Sequence, residues 1–145
     1  MKKLIRKIIL IILTIVILLG IYIFARGYSI YKKMINKVSL EDKIKQIQTS
    51  ENFVPYEEMP DDYINAVIAV EDHRFRDHGA FDIIAITRAL TSNLRQKNLV
   101  EGGSTITQQV AKNLYFMEKD TMDDSIYRKV AELLMGSQIE KNYSK

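Results

Sequence analysis

The chain has 145 residues, no cysteine and a formal net charge of +3. This length suits one modest domain, and the absence of cysteine excludes disulfides, thiolate chemistry and cysteine-based zinc sites. Four of the 21 cations lie in the first seven residues, so the remainder carries 17 cations against 18 acids. That balance argues against a broad nucleic-acid surface, which needs a basic face.

The N-terminus carries an apolar run. Ile8 to Ala25 is 18 residues without a charge, about 27 Å as a helix, close to the hydrocarbon thickness of a bilayer. Basic residues precede the run, so the positive-inside rule predicts a single-pass protein with a cytoplasmic N-terminus and an extracytoplasmic remainder. Phe24-Ala25-Arg26 is a poor cleavage site, so an uncleaved signal anchor formed by residues 1–26 is favoured and a cleaved signal peptide is not.

A juxtamembrane segment is predicted over residues 27–54. Apolar residues fall near helical spacing there, with lysines between them: Ile30, Met34, Val38, Ile44 and Ile47. Two interpretations stay open: an amphipathic helix lying against anionic lipid, or a solvated stalk with a partly helical pattern. The two prolines then indicate an extended connection into a domain over residues 55–145.

This domain is predicted to be mainly α, since no strand alternation is long enough to trust. Its first helix follows Asp61 and is predicted to bury a stripe of four residues, Tyr63, Ala66, Val67 and Val70. A second helix, with Asp82 as its N-cap, is predicted to bury Ile83, Ile86, Leu90 and Leu94. After a polar loop from Phe116 to Asp124, a last helix from Ser125 is predicted to bury Ile126, Val130, Leu133 and Leu134.

Between the first two helices lies a charged loop, residues 71–82. It brings carboxylates, two imidazoles and two guanidinium groups close together, as in a site with a tuned carboxylate. The alternative is a solvated, salt-bridged surface loop, but Phe75 and Phe81 count against it. A metal site built from Glu71, Asp72, His73, Asp77 and His78 matches no spacing with a known mechanism and is not favoured.

Two further stretches stand out. In Gly102-Gly103-Ser104-Thr105, Thr105 and Gln108 fit a capping box, and a helix start after two glycines can bind an anion, although most such starts are simple caps. Near the C-terminus, Arg128, Glu132 and Gly136 share one helix face. The simplest interpretation of Arg128–Glu132 is an exposed ion pair of a few tenths of a kcal/mol, while Gly136 is expected to make room for another group.

The stretch from Glu71 to Lys145 contains three motifs. The first is Glu71-Asp72-x-x-Phe75-x-x-His78 with Asp82, the second is Gly102 to Gln109 with Lys112, and the third is Arg128-Lys129-x-x-Glu132 continuing to Lys145. In order and spacing they resemble the peptidoglycan glycosyltransferases, the transglycosylase domains of class A penicillin-binding proteins and of monofunctional biosynthetic transglycosylases. The resemblance covers roughly residues 55–145.

The resemblance implies a lysozyme-like helical domain at the bacterial cell membrane that polymerises lipid II into glycan strands. It implies Glu71 as the general base and Glu132 as a second essential carboxylate. The substrate-binding residues that it implies are Asp72, Phe75, His78, Ser104, Thr105, Gln108, Gln109, Lys112 and Arg128. No cofactor is expected, although a divalent cation can bridge the substrate pyrophosphate. Expected partners are lipid II, the growing glycan strand, the membrane and cell-wall synthesis proteins, without nucleic acid.

The chain also departs from the family pattern. The loop before the third motif offers only Lys119 where the family often has an arginine that contacts phosphate. The family's domain continues past the third motif with further helices, so we expect this domain to be incomplete. Two other functions therefore remain: a membrane-tethered module that binds lipid II without turnover, and a lysozyme-like glycan-cleaving enzyme.

Overall fold

The structure is a computed structural model that describes residues 2–98, 102–117 and 126–145. Its six α-helices are α1 (Lys2–Lys37), α2 (Leu40–Gln48), α3 (Asp61–Glu71), α4 (Ile83–Gln96), α5 (Ile106–Tyr115) and α6 (Ile126–Asn142). Over these described ranges no strand occurs, which confirms the mainly α class. Lys119, Ser125 and most of the predicted loop from Phe116 to Asp124 lie outside the described residues.

Helix α1 begins before the apolar run and continues well past it. The helix has 36 residues, and its most apolar window has a mean hydropathy of 3.2 with no residue buried. By length and composition, α1 is therefore able to cross a membrane. Helix continues without a break from this apolar part through Gly27 to Lys37, so the predicted anchor and juxtamembrane segment share one rigid element.

The C-terminal part of α1 packs against the domain. Ile30, Met34 and Ile44 are partly buried against the hydrophobic core. Neither interpretation of this segment, a helix lying on lipid or a solvated stalk, describes that arrangement. These three residues pack against the core instead, whereas Ile47 is 45% exposed.

The core lies where α1, α2, α5 and α6 meet. Its buried residues are Leu40, Ala111, Leu114, Tyr115, Phe116, Ala131 and Met135. Ala111 and Ala131 let α5 and α6 approach closely, and Phe116 and Met135 fill the space beside them with fully buried side chains. The Tyr115 hydroxyl donates to the carbonyl oxygen of Val38 at 3.2 Å, and burial raises the pKa of Tyr115 to about 12.

The predicted buried faces of α3 and α4 are correct only at Val67 and Ile86, which are partly buried. In α3, Tyr63 is 60% exposed and Val70 is 81% exposed, while the partly buried residues are Ile64, Val67 and Ile68. In α4, Ile83, Leu90 and Leu94 are all exposed, and Ala89 is the buried residue. The reason is close backbone contact: a Cβ at Gly103 would lie 3.1 Å from the Ile86 Cα, so only the small-residue face of α4 fits there.

In α6, the predicted buried face is also only partly correct. Ile126 is 58% exposed, and Val130, Leu133 and Leu134 are partly buried. The fully buried positions are Arg128, Ala131, Glu132, Met135 and Gly136. Helix α6 thus turns a mixed face towards the domain, with apolar residues in the core and a charged pair beside it.

Candidate active site

Glu71 ends α3 and holds a hydrogen bond to α5. The Gln109 side-chain amide donates to Glu71 Oε2 at 2.8 Å, so two residues that are 38 positions apart in the sequence meet at the site. The Glu71 carboxylate is exposed. A water-poor environment, as expected for a general base, is therefore not formed by the described residues, and the large apolar side chains Ile83, Leu90 and Leu94 of α4 are themselves exposed.

Asp72, the next residue, is buried and fully engaged. Its Oδ2 accepts the backbone N–H of Ile106 at 3.0 Å, and its Oδ1 lies 2.8 Å from Nε2 of His78. The other ring nitrogen of His78, Nδ1, lies 2.6 Å from the carbonyl oxygen of Gly79. Both ring nitrogens of His78 therefore lie within hydrogen-bond distance of an oxygen atom. Asp72 and His78 therefore join the charged loop to the start of α5.

Asp82 caps α4, as predicted. Its Oδ1 accepts the N–H groups of Ile84 at 2.8 Å and Ala85 at 3.2 Å, while Oδ2 lies 3.4 Å from Nε of Arg74. Burial raises the pKa of Asp82, but the two N–H donors, with the charges of Arg74 and His78, oppose burial and bring the pKa below its ordinary value. This carboxylate is therefore ionised in the folded protein at neutral pH.

The metal set considered from the sequence is not assembled. Within the described part of the chain, the side chains close enough to share an ion are Asp72, His78 and Asp82. Their atoms already face the donors of Ile106, Arg74 and the α4 start, as given above. This cluster is best described as an internal ion-pair network that shapes the loop, because a metal would have to displace those donors.

The start of α5 forms half of the predicted capping box. The Thr105 hydroxyl accepts the Gln108 N–H at 3.2 Å, but the Gln108 side chain donates to the carbonyl oxygen of Ala80 at 3.0 Å. Thr105 also donates to that oxygen, at 3.0 Å. At the predicted anion site, the N–H group of Ile106 is already bound by the carboxylate of Asp72.

Arg128 and Glu132 of the third motif are buried. Glu132 is 0% exposed, and its two oxygens lie 3.1 Å from Arg128 Nε and 2.8 Å from Lys129 Nζ. The simple interpretation, an exposed Arg128–Glu132 pair, is therefore wrong. Lys129 also donates to the Ser104 hydroxyl at 3.1 Å. Sequence reasoning did not select Lys129, although its i, i+3 spacing to Glu132 was a signal for this contact.

Gly136 lies against the charged loop and α5. A Cβ there would be 3.5 Å from the Ala80 Cβ and 3.6 Å from the Thr107 Cγ2, which is ordinary van der Waals contact. An alanine methyl group would therefore fit at position 136. The expectation that a glycine is needed there to make room for another group holds only against side chains larger than alanine.

A polar cleft of about 290 Å³ lies between the end of α3, α4 and the start of α5. Its lining includes five of the predicted site residues, Glu71, Asp72, Ser104, Thr105 and Gln109, together with Arg88. Arg128 and Glu132 connect to it through Lys129 and Ser104.

The other predicted residues lie outside the cleft lining. Gln108 is buried beneath it, and His78 supports it through Asp72. Lys112 is partly buried on α5. Phe75 contacts Lys145, whose Nζ lies 4.6 Å from the centre of its ring and also donates to the backbone carbonyl oxygens of Phe75 and His78.

The chain is similar to known proteins over most of its length. The family model described as Transglycosylase matches residues 38–145. A monofunctional glycosyltransferase of Staphylococcus epidermidis is 44% identical over 104 residues, which are 72% of this chain and 37% of that protein. One of Staphylococcus aureus strain Newman is 43% identical over the same coverage. The chain thus spans little more than a third of the length of these curated relatives, and on the family match it belongs to the transglycosylase family.

Proposed function

We propose that the protein is a peptidoglycan glycosyltransferase that polymerises lipid II into glycan strands, with inversion at the anomeric carbon and release of undecaprenyl pyrophosphate. The observation that carries the proposal is the cleft lined by both Glu71, which Gln109 holds, and Ser104, which accepts a hydrogen bond from Lys129 of the third motif. A carboxylate on one side and a cation on the other suit a proton acceptor and an anionic leaving group.

In the proposed reaction, Glu71 removes the proton from the 4-hydroxyl of the acceptor sugar. The hydroxyl oxygen attacks the anomeric carbon of the donor from the face opposite the pyrophosphate. The bond between that carbon and the pyrophosphate oxygen breaks, and the leaving group takes the electron pair. Because Gln109 donates to Glu71 Oε2, Oε1 is left for the substrate proton, and bound substrate displaces water from the carboxylate.

Cations of the second and third motifs are proposed to bind the pyrophosphate. Lys129 has a half-exposed side chain and reaches Ser104 at the cleft, so its ammonium group is available to a phosphate oxygen. Glu132 is proposed to orient Arg128 and Lys129 rather than to react with the sugar, since both cations contact its buried carboxylate. Lys112 is proposed to complete the donor site, and a divalent cation carried by the substrate is compatible with it.

The proposed setting is the bacterial cell membrane. The basic N-terminal tip lies in the cytoplasm, the apolar part of α1 crosses the bilayer once, and the domain over residues 55–145 lies outside. This places the cleft on the side where glycan strands grow. Cell-wall synthesis proteins are the proposed partners in that compartment.

The test is a polymerisation assay of the full-length protein with lipid II in detergent. Glu71→Gln keeps the size of the side chain but removes the base, so we expect loss of at least about a thousandfold in rate with lipid II binding retained. Glu51→Gln, at an exposed position before the domain, is the matched control and is expected to polymerise normally.

Two outcomes would replace the proposal. Lipid II binding without polymerisation by the unaltered protein would favour the non-catalytic module. Release of fragments from finished glycan would favour the lysozyme-like hydrolase. Full activity of the Glu71→Gln protein would remove Glu71 from the role of base.

A further inference from the structure

Helices α1 and α6 touch backbone to backbone at a glycine. Gly27 of α1 is buried, and a Cβ added there would lie 2.4 Å from the Val130 Cβ and 2.9 Å from the Tyr127 carbonyl oxygen. Real Cβ atoms essentially never approach so closely. Gly20 is different, since a Cβ there would meet nothing within 4 Å. Of these two glycines of α1, only Gly27 is required by packing.

Two further contacts show the relative direction of helices α1 and α6. The rings of Tyr22 and Tyr127 meet edge to face with centroids 6.0 Å apart. Further along, the Tyr31 hydroxyl donates to Gln138 Oε1 at 2.8 Å. Because residue numbers rise together in both helices, α1 and α6 run in the same direction, and the first turn of α6 lies beside the end of the apolar run.

This arrangement gives α6 a depth relative to the membrane. The apolar run ends at Ala25, and Val130 lies level with Gly27. Lys129 is one residue nearer the membrane than Val130, a rise of about 1.5 Å. The start of the third motif, Arg128 and Lys129, therefore lies level with the boundary between hydrocarbon and headgroups.

The side chains around Tyr127 suit that boundary. The guanidinium carbon of Arg26 lies 6.0 Å from the centre of the Tyr127 ring. The Tyr22 ring contacts the same tyrosine edge to face. Tyrosine and arginine are the side chains that settle at a membrane–water interface. These contacts provide a second, independent reason to place the α6 start at that depth.

We propose that the Gly27–Val130 contact fixes the depth of the active site relative to the membrane and holds Lys129 at the level of the lipid phosphates. A pyrophosphate carried by a membrane lipid then meets this cation while its lipid tail stays in the bilayer. Gly27 acts through α6 and is a positioning residue. The inference rests on the proposed function for the identity of the substrate, but the contact itself is testable without activity.

The contact is tested first by cross-linking. Since the chain has no cysteine, the double variant Tyr22→Cys/Tyr127→Cys carries a unique thiol pair. In native membranes, a short bismaleimide is expected to close a loop in this variant, visible as a shift in gel mobility. The control pair Gly20→Cys/Tyr127→Cys starts from a residue with open surroundings and is expected to cross-link poorly. Equal cross-linking of both pairs would overturn the packing on which the proposal depends.

The role in positioning is tested by activity in two media. In liposomes the bilayer imposes the depth, whereas in detergent micelles the substrate can adjust to the enzyme. We expect Gly27→Leu to lower polymerisation roughly tenfold or more in liposomes, because a shift of about 1 Å can cost a hundredfold. In detergent the expected loss is under about threefold. Gly20→Leu is expected to stay within about twofold of the unaltered protein in both media.

The outcomes separate the two proposals. Equal losses of polymerisation activity for Gly27→Leu in liposomes and in detergent would assign Gly27 a merely structural role. They would overturn the proposal that Gly27 sets the depth of the active site. No polymerisation by the unaltered protein in either medium would count against the proposed function, while the cross-linking result would still report the contact. A swap variant, Gly27→Ala/Val130→Gly, restores space between the helices, and we expect it to recover activity in liposomes that Gly27→Ala alone loses.

Discussion

Asp72 Oδ2 accepts the backbone N–H of Ile106 at 3.0 Å, a contact between residues 34 positions apart in the sequence. Through it, the end of α3 is fixed against the first turn of α5. Glu71 precedes Asp72, and Gln109 lies one turn after Ile106, so this single bond places the proposed base next to the amide that holds it. The charge of Asp72 also favours the positive end of the α5 dipole.

Replacing Asp72 tests whether this bond supports the fold. In Asp72→Asn, the neutral amide accepts more weakly from Ile106 and loses its charge towards His78, so we expect a loss of about 1–3 kcal/mol in the free energy of unfolding. Urea denaturation in detergent measures it. Asp77→Asn, an exposed loop carboxylate, is the control and is expected to change stability by less than about 0.5 kcal/mol. Equal effects would remove the special role of Asp72.

Asp82 predicts a pH dependence of stability. Its carboxyl pKa is lower in the folded than in the unfolded chain, so its contribution is fully present above the unfolded value of about 4. That contribution is lost as the pH falls through the lower folded value. In Asp82→Asn the helix cap is retained, because asparagine caps as well as aspartate, but this acid-dependent part should disappear. Unfolding measured from pH 7 to pH 2 checks it, and an unchanged acid limb would contradict the assignment.

The buried Glu132 predicts an asymmetry between single and double variants. Glu132→Ala leaves Arg128 buried without its carboxylate, at an expected cost of about 3–5 kcal/mol, whereas Arg128→Met/Glu132→Leu removes both charges and should cost less. Chemical denaturation of the two variants compares them. Lys141→Ala, at an exposed charged residue of the same helix, serves as a control. A double variant less stable than Glu132→Ala would show that the pair itself stabilises the fold.

Lys112 predicts an effect on binding without an effect on stability. Its side chain lies on α5 outside the residues that form the hydrophobic core, so Lys112→Ala should change the free energy of unfolding by less than about 0.5 kcal/mol. Donor binding should weaken roughly tenfold, since one charge-assisted contact to pyrophosphate is lost. Lys112→Arg keeps the charge and should retain most of the affinity. Unchanged donor affinity in Lys112→Ala would return this lysine to the solvated surface.

Local signals in the sequence were sufficient for some features. The apolar run over residues 8–25, the caps Asp82 and Thr105, and the three motifs depend on neighbouring residues, and the family assignment followed from the motifs. A cap is decided by its own side chain and the next two or three N–H groups, and a membrane-crossing helix by its composition. These features therefore survive whatever tertiary contacts the chain makes.

Other features were decided only by tertiary structure. In α4 the buried residue is Ala89, beside the partly buried Ile86, because Gly103 brings another backbone against this part of the helix, and a hydrophobicity pattern cannot register that approach. Glu132 is buried and Lys129 bridges to Ser104 because α6 packs against α5. Periodicity reports which residues of a helix share a face, but the identity of the neighbour that covers the face depends on contacts across the whole chain, and here those contacts build the site.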